Sequence, residues 1–374
     1  MHVLMLSIDD RAFEAGSEVR ERLQAYGPLF ESLRVIVFTR RDRQAAAIAP
    51  NTWLYPAPAA FSPFAFLAAL RLSRRILRKT GRDTVVTSQD AFTNLVAFFL
   101  QRRFGLPVQV QIHTDFLAPA FRRESFKNYL RYLIYRWSVR RADCVRVVSE
   151  RIRHSLLSAI RYPLSAPVVV LSVFVDAQKI ADAAPAFDLR QRCPGAHPII
   201  LWVGRLTREK NPGLALEVMA EFVNELSKSL LVIVGDGPER ERLKFKVKSL
   251  KLEHNVRLES WQQDLIPYYQ GADALLVTSR YEGYGRMFIE AAASGLPIVT
   301  TPVGLVGEIL KPGESVLIFR TIEEGVRALS HVLRNHELGG HLTKAAREAV
   351  ALLPDLPNYL ARFRASFSNC RRSG

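Results

Sequence analysis

Two carboxylates and three cations stand at short, ordered spacings in the second half of this chain. Arg205 and Lys210 lie five positions apart in GRLTREKN (204–211), directly after the apolar run PIILWV. Glu282 and Glu290 bracket EGYGRMFIE (282–290), which follows a second apolar run and also holds Gly283, Gly285, Arg286 and Met287. A guanidinium and an ammonium beside a strand end can grip a diphosphate, the first as a fork and the second as a point charge. Gly204, Gly283 and Gly285 let backbone approach a ligand closely. A helix opening at 287 offers amide N–H groups and a positive dipole end to phosphate. The two glutamates then suit the binding of hydroxyl groups. The competing reading is surface cations beside a turn, one solvated Glu and one helix-start Glu. A third loop, TTPVG (300–304) with Gly307 and Glu308 after it, reads alone as a plain turn.

The first half offers less. His113 ends the run VQVQIH and Asp115 follows it. Gly16 opens a helical stretch after the first apolar run. A lone His at a strand end, or a lone Gly at a helix start, is more often structural.

The elements that must position these residues alternate between short β-branched runs and helical segments. Strands are expected at 2–8, 33–38, 84–88, 108–113 and 144–149, with a helix over 16–29. The alternation restarts with strands at 198–203, 230–234, 256–259, 274–278 and 297–301. Asn211-Pro212-Gly213 reads as a helix start, with Asn211 as N-cap, and the helix should run to about 226. GDGP (235–238) makes a sharp turn. A further helix spans 287–293, and the last about 359–367. This is an α/β pattern with two parallel sheets covered on both faces, joined near 175–195. Ligands of such sheets bind at the carboxyl ends of strands, where all three loops of the second half lie.

The net charge is +16 and unevenly placed. Residues 1–180 hold 27 Lys and Arg against 14 Asp and Glu. Such a half suits an anionic membrane surface, an acidic acceptor or nucleic acid. Two basic amphipathic stretches, 71–79 and 121–141, interleave cations with apolar and aromatic residues, as in helices that lie on anionic membranes. Cys144, Cys193 and Cys370 are too widely spaced for a disulfide framework or a CxxC metal pair, which fits a reducing compartment. No signal peptide and no membrane span are read. With no Asp-x-Asp or Cys/His cluster, no metal or cofactor is expected.

Together these segments resemble the retaining glycosyltransferases of group 1, with the GT-B fold. Glu282 and Glu290 match that family's E-x7-E spacing, GRLTREKN its G-R-x-x-x-x-K-N/G segment, IVGDGPERERLK its strand-turn-helix, and AASGLPIVTTPVG its following strand. The resemblance covers about 196–320 strongly and the first half weakly. It implies two Rossmann-like domains facing across a cleft: 1–180 for the acceptor, 190–352 for the donor, with a C-terminal helix (about 357–374) returning to the first. It implies a nucleoside diphosphate sugar as donor and a glycan or polyprenyl-linked acceptor, in cell-surface polysaccharide or glycolipid synthesis, at a cytoplasmic location peripheral to the membrane. Arg205 and Lys210 would then neutralise the diphosphate, Glu290 hold ribose, and Glu282 and His113 face the transferred sugar. Gly16, Gly204, Gly283, Gly285, Arg286 and Met287 would line the donor site, and the base would lie along 258–261. Two other readings stay open: a sugar-nucleotide epimerase on the same fold, and a basic nucleic-acid-binding protein without catalysis, although no finger, RRM or KH signature is present.

Overall fold

The computed structural model describes every residue except 59–62, 82, 160–165, 369 and 371–374. The chain divides into two units, Met1–Ser172 with Asp355–Gly374, and Val173–Pro354.

The first unit holds one sheet built from β1 (His2–Ser7), β2 (Ser32–Thr39), β3 (Ala46–Ala49), β4 (Thr52–Pro58), β5 (Thr84–Ser88), β6 (Val108–Ile112), β7 (Cys144–Val147) and β8 (Val168–Val170). Their order is β3-β4-β2-β1-β5-β6-β7-β8, parallel throughout except for β3 against β4. Strands β5, β6 and β7 are buried along their whole length. Burial on both faces is why β5 reads as an unbroken β-branched run, whereas β6 and β7 bury Gln109, Gln111 and Arg146 among their valines. Strands β3, β4 and β8 escaped the sequence reading. Pro56 and Pro58 cannot donate to a ladder, and runs with proline look unlike strands. The alanines of β3 have little strand preference, and here pairing with β4 decides the matter.

Gly16 takes φ +73° ahead of the helix Glu18–Tyr26, which Ser17 caps by accepting from the Arg20 amide. The helix stops sooner than expected, and Gly27–Leu29, with Pro28 in it, tightens to a 3-10 turn. The helix Leu356–Ser368 belongs to this unit. Its Phe363 ring stacks on Tyr26 at 3.9 Å, and its Tyr359 hydroxyl lies 2.9 Å from that of Tyr26. Of the expected helix over 357–374, residues 369 and 371–374 lie outside the described residues. One expectation fails outright: Cys144 and Cys370 pair as a disulfide, their Cα atoms 5.0 Å apart, while Cys193 is free and buried. A separation of 226 residues hid a contact that the returning helix creates.

The second unit is a sheet of β9 (Ile199–Val203), β10 (Leu230–Val234), β11 (Val256–Glu259), β12 (Ala274–Val277), β13 (Ile298–Thr300) and β14 (Leu317–Ile318). All pairs are parallel and the order is β11-β10-β9-β12-β13-β14. The chain therefore builds outward from β9 in one direction, then returns to build the other way from β12. The strand order reverses between β9 and β12, and in open α/β sheets ligands bind at the carboxyl ends of the strands at such a reversal. Trp202, Met219, Phe222, Phe319 and Leu329 fill the core on one side of the sheet. The helix after β9, Pro212–Phe222, begins as expected but is not capped by the Asn211 side chain. Asn211 instead takes φ +50°, a left-handed conformation that Asn tolerates better than most residues.

Candidate functional site

The loops that follow β9 and β12 bring four of the singled-out residues together. The chain leaves β9 at Gly204, and the GDGP turn after β10 packs directly onto this exit. A Cβ on Gly235 would lie 1.9 Å from the Gly204 carbonyl oxygen, and one on Gly237 2.4 Å from that of Leu206. The amide of Leu206 donates to Asp236 O at 2.9 Å, and that of Glu239 to Leu206 O at 3.0 Å. These glycines are needed because two backbones touch, so the loop carrying Arg205 and Lys210 is braced rather than loose.

Lys210 then turns back toward β12. Its ammonium donates to Glu282 Oε1, and Ser279 Oγ donates to the same oxygen at 2.8 Å. Glu282 is only 5% exposed. A carboxylate so buried needs charge and hydrogen-bond partners, and Lys210 and Ser279 supply them. The approach of the two loops is fixed by further bonds. Thr278 Oγ1 donates to the Lys210 and Asn211 carbonyls at 3.1 and 2.9 Å and accepts from Trp202 Nε1 at 3.0 Å. The Arg280 amide donates to Glu209 O at 2.8 Å, and Thr301 Oγ1 donates to Ser279 O at 2.7 Å.

Arg205 is mostly exposed and ion-pairs with Glu209 at 3.5 Å; the other Glu209 oxygen lies 3.9 Å from Lys210 Nζ. Glu209 thus links the two cations that the sequence had set apart as a pair.

The loop from Glu282 to Gly285 ends in the helix Arg286–Ala293. Gly285 is its N-cap at φ +85° and brings no side-chain cap. The loop after β13 closes over it. Gly304, at φ +58°, would place a Cβ 2.6 Å from Tyr284 O and 3.2 Å from Glu282 Cβ, so TTPVG is a close-approach segment and not a plain turn. Met287 is nearly buried beneath the helix start. One turn along, Glu290 accepts from Tyr269 Oη at 2.8 Å and pairs with Arg286 at 3.3 Å. Burial, and then the Glu290 charge, push the Tyr269 hydroxyl well above its ordinary pKa, so it remains a donor. Ser279, Glu209 and Tyr269 were not picked out from sequence. Ser279 directly follows a strand end, which is a usable signal; Tyr269 has none.

Along 258–261, Arg240 already donates to Glu259 O at 3.2 Å and reaches Leu258 O at 3.5 Å, and Asp236 Oδ2 accepts from the Trp261 amide at 2.7 Å. The Trp261 side chain is half exposed.

In the first unit, His113 follows β6, with Nε2 3.3 Å from Gln111 Oε1. Gln111 Nε2 donates to Thr87 Oγ1 at 2.8 Å, and Arg146 Nη1 donates to Gln111 Oε1 at 3.1 Å. Arg146 is buried and also donates to Leu171 O, Ser172 O and Tyr359 Oη. Burial first, then the charges of Arg146 and Arg22, lower the His113 pKa to about 3. The ring is therefore neutral at ordinary pH, and Gln111 Oε1 fixes the proton on Nε2. Burial raises the Asp115 pKa, opposed by the amides of Leu117 and Ala118.

The chain matches two family models in succession: "Glycosyl transferase 4-like domain" over 19–173 and "Glycosyl transferases group 1" over 190–349. It is 30% identical over 150 residues to the alpha-monoglucosyldiacylglycerol synthase of Acholeplasma laidlawii, a match covering 40% of this chain and 38% of that protein. It is 26% identical over 298 residues to the alpha-D-kanosaminyltransferase of Streptomyces kanamyceticus, covering 77% of each. Among solved structures, Anabaena HepE in complex with UDP and glucose superposes with a TM-score of 0.78 at 16% identity, over 98% of this chain and 99% of that one. Two parallel-sheet α/β units in this arrangement of strands make the GT-B fold, and the chain belongs to the group 1 glycosyltransferases.

Proposed function

We propose that the protein transfers a sugar, with retained anomeric configuration and without a metal ion, from a nucleoside diphosphate sugar to a glycan or lipid-linked acceptor. One observation carries this reading: Lys210, Glu282, a close-approach glycine loop and a helix start meet at the reversal of strand order in the second sheet. Departure of the diphosphate concentrates negative charge, and preorganised cations and amide dipoles stabilise it without rearranging solvent. Arg205, Lys210 and the first turn of Arg286–Ala293 are the groups for that task. Each cation is matched by a carboxylate: Arg205 by Glu209, Lys210 by Glu282, Arg286 by Glu290. Pairing compensates the most buried of these charges, Lys210 and Glu282. When the diphosphate takes over Lys210, Glu282 is released to accept hydroxyls of the transferred sugar. Glu290, oriented by Tyr269, accepts those of the ribose. The His113 ring of the first unit is neutral, a form whose Nδ1 can accept from a sugar hydroxyl.

The names of the relatives support the substrate classes. One relative is named for a glucosylated diacylglycerol, another for transfer of a kanosaminyl group, and the HepE structure holds UDP and glucose. The test is a thermal-shift and hydrolysis screen with UDP, GDP, ADP and their sugar conjugates in the presence of EDTA. One nucleotide should raise Tm, and its sugar conjugate should release sugar slowly. An epimerised nucleotide sugar recovered intact would favour the epimerase, and no shift with any nucleotide would overturn the reading.

A further inference from the structure

The first unit presents a group of large apolar side chains to solvent. The helix Phe126–Val139 exposes Phe126, Leu130, Leu133 and Trp137. Their spacing of four, three and four places them in one stripe. Phe126 is 81% exposed. The stripe widens sideways, because the helix Ala91–Phe104 packs alongside and exposes Leu95 and Phe99. The Trp137 ring meets Phe98 edge-on at 4.9 Å, and Phe99 meets Phe66 edge-on at 5.5 Å. The second contact brings the helix Pro63–Thr80, with exposed Leu67, to the far side. Single exposed apolar residues are ordinary on a soluble surface, but a contiguous patch marks an interaction site.

The charge of the same three helices is one-sided. They carry five, two and three Lys or Arg and no Asp or Glu. Arg71, Arg74, Arg75, Arg78 and Lys79 are all exposed. Arg141 lies over the Trp137 ring at 4.9 Å. Arg131 has a different task, since it pairs with buried Asp90, which caps the helix Ala91–Phe104.

We propose that this three-helix face docks on an anionic lipid surface, with the stripe entering the headgroup boundary and the cations meeting lipid phosphates. Apolar and aromatic side chains gain by leaving water there, and flanking cations gain from the negative surface. A second copy of the chain would set like charge against like, which disfavours pairing. A nucleic acid would use the cations and leave the stripe in water. The proposal is independent of the donor chemistry, because binding is read with no nucleotide sugar present.

The experiment is vesicle flotation of the whole protein with phosphatidylcholine alone and with phosphatidylcholine containing phosphatidylglycerol. Binding to the anionic vesicles should exceed that to neutral ones by about tenfold or more, and fall in about 1 M salt, where screening reaches ~3 Å. Phe126→Ser/Leu130→Ser and Arg74→Glu/Arg78→Glu should each weaken it about tenfold, the first without changing retention on heparin. Phe126→Ser alone is the fallback if a double variant has lowered Tm. Equal binding to both vesicles, no binding to either, or full binding by the apolar variant would overturn the proposal. In the last case the surface reads charge alone, as a polyanion site would.

Discussion

The Lys210 ammonium and the Glu282 carboxylate, 72 residues apart in sequence, are bonded to each other behind the loops after β9 and β12. Both side chains are largely buried, at 15% and 5% exposure. Lys210→Ala leaves a carboxylate without its counter-charge and should cost about 3–5 kcal/mol of stability. Lys210→Met/Glu282→Gln removes both charges and should recover much of that loss, yet leave turnover abolished. Urea unfolding of the two single variants and the double variant, beside turnover of the donor, separates the structural cost from the catalytic one. Turnover near the parent's in Lys210→Ala would remove the cation from the mechanism.

Gly304 should be far less replaceable than Gly307. Both have positive φ, but a Cβ at 304 meets Tyr284 O at 2.6 Å, whereas one at 307 meets nothing within 4 Å. Gly307→Ala then carries only the backbone cost of about 1 kcal/mol. Gly304→Ala must also push back the loop that holds Glu282, so nucleotide affinity should fall along with Tm. Equal effects of the two substitutions on both readouts would contradict the close approach.

The His113 ring should stay neutral across the working pH range. Its folded pKa is about 3, below the ordinary 6.5, because burial and Arg146 oppose the charge. The unfolded chain therefore binds the proton more readily, and stability falls as pH drops from about 6.5 towards 3. His113→Gln should flatten that part of the stability profile. Arg146→Met should raise the ring's pKa, visible by NMR titration, and destabilise the unit by removing the guanidinium donor from the Leu171 and Ser172 carbonyls. An NMR-titrated pKa near 6.5 in the parent would refute the assignment.

Reduction should weaken the first unit. The Cys144–Cys370 bridge closes a loop of more than two hundred residues, and removing a native bridge typically costs about 2–5 kcal/mol. Dithiothreitol should lower Tm in the parent and leave Cys370→Ser unaffected, with Cys193→Ser behaving as the parent does.

The sequence by itself determined most of the strands that are buried on both faces, since β-branched and apolar residues dominate them and leave a readable run, even where Gln111 or Arg146 interrupts it. It also marked the glycine loops and the cations and carboxylates beside them, because close approach and phosphate chemistry restrict residue type at each position. It was silent where long-range contact decides. Strand β4 carries two prolines and forms only because β2 and β3 pair with it. Asn211 looked like an N-cap, but tertiary bonds through Thr278 hold it left-handed. Tyr269 reaches Glu290, Arg146 reaches Tyr359, and Cys144 reaches Cys370 only after sheets and returning helix have assembled. The exposed stripe on three neighbouring helices is of the same kind. Each helix is amphipathic in sequence, but which apolar residues remain in solvent depends on how the helices pack, and only the tertiary structure decides that.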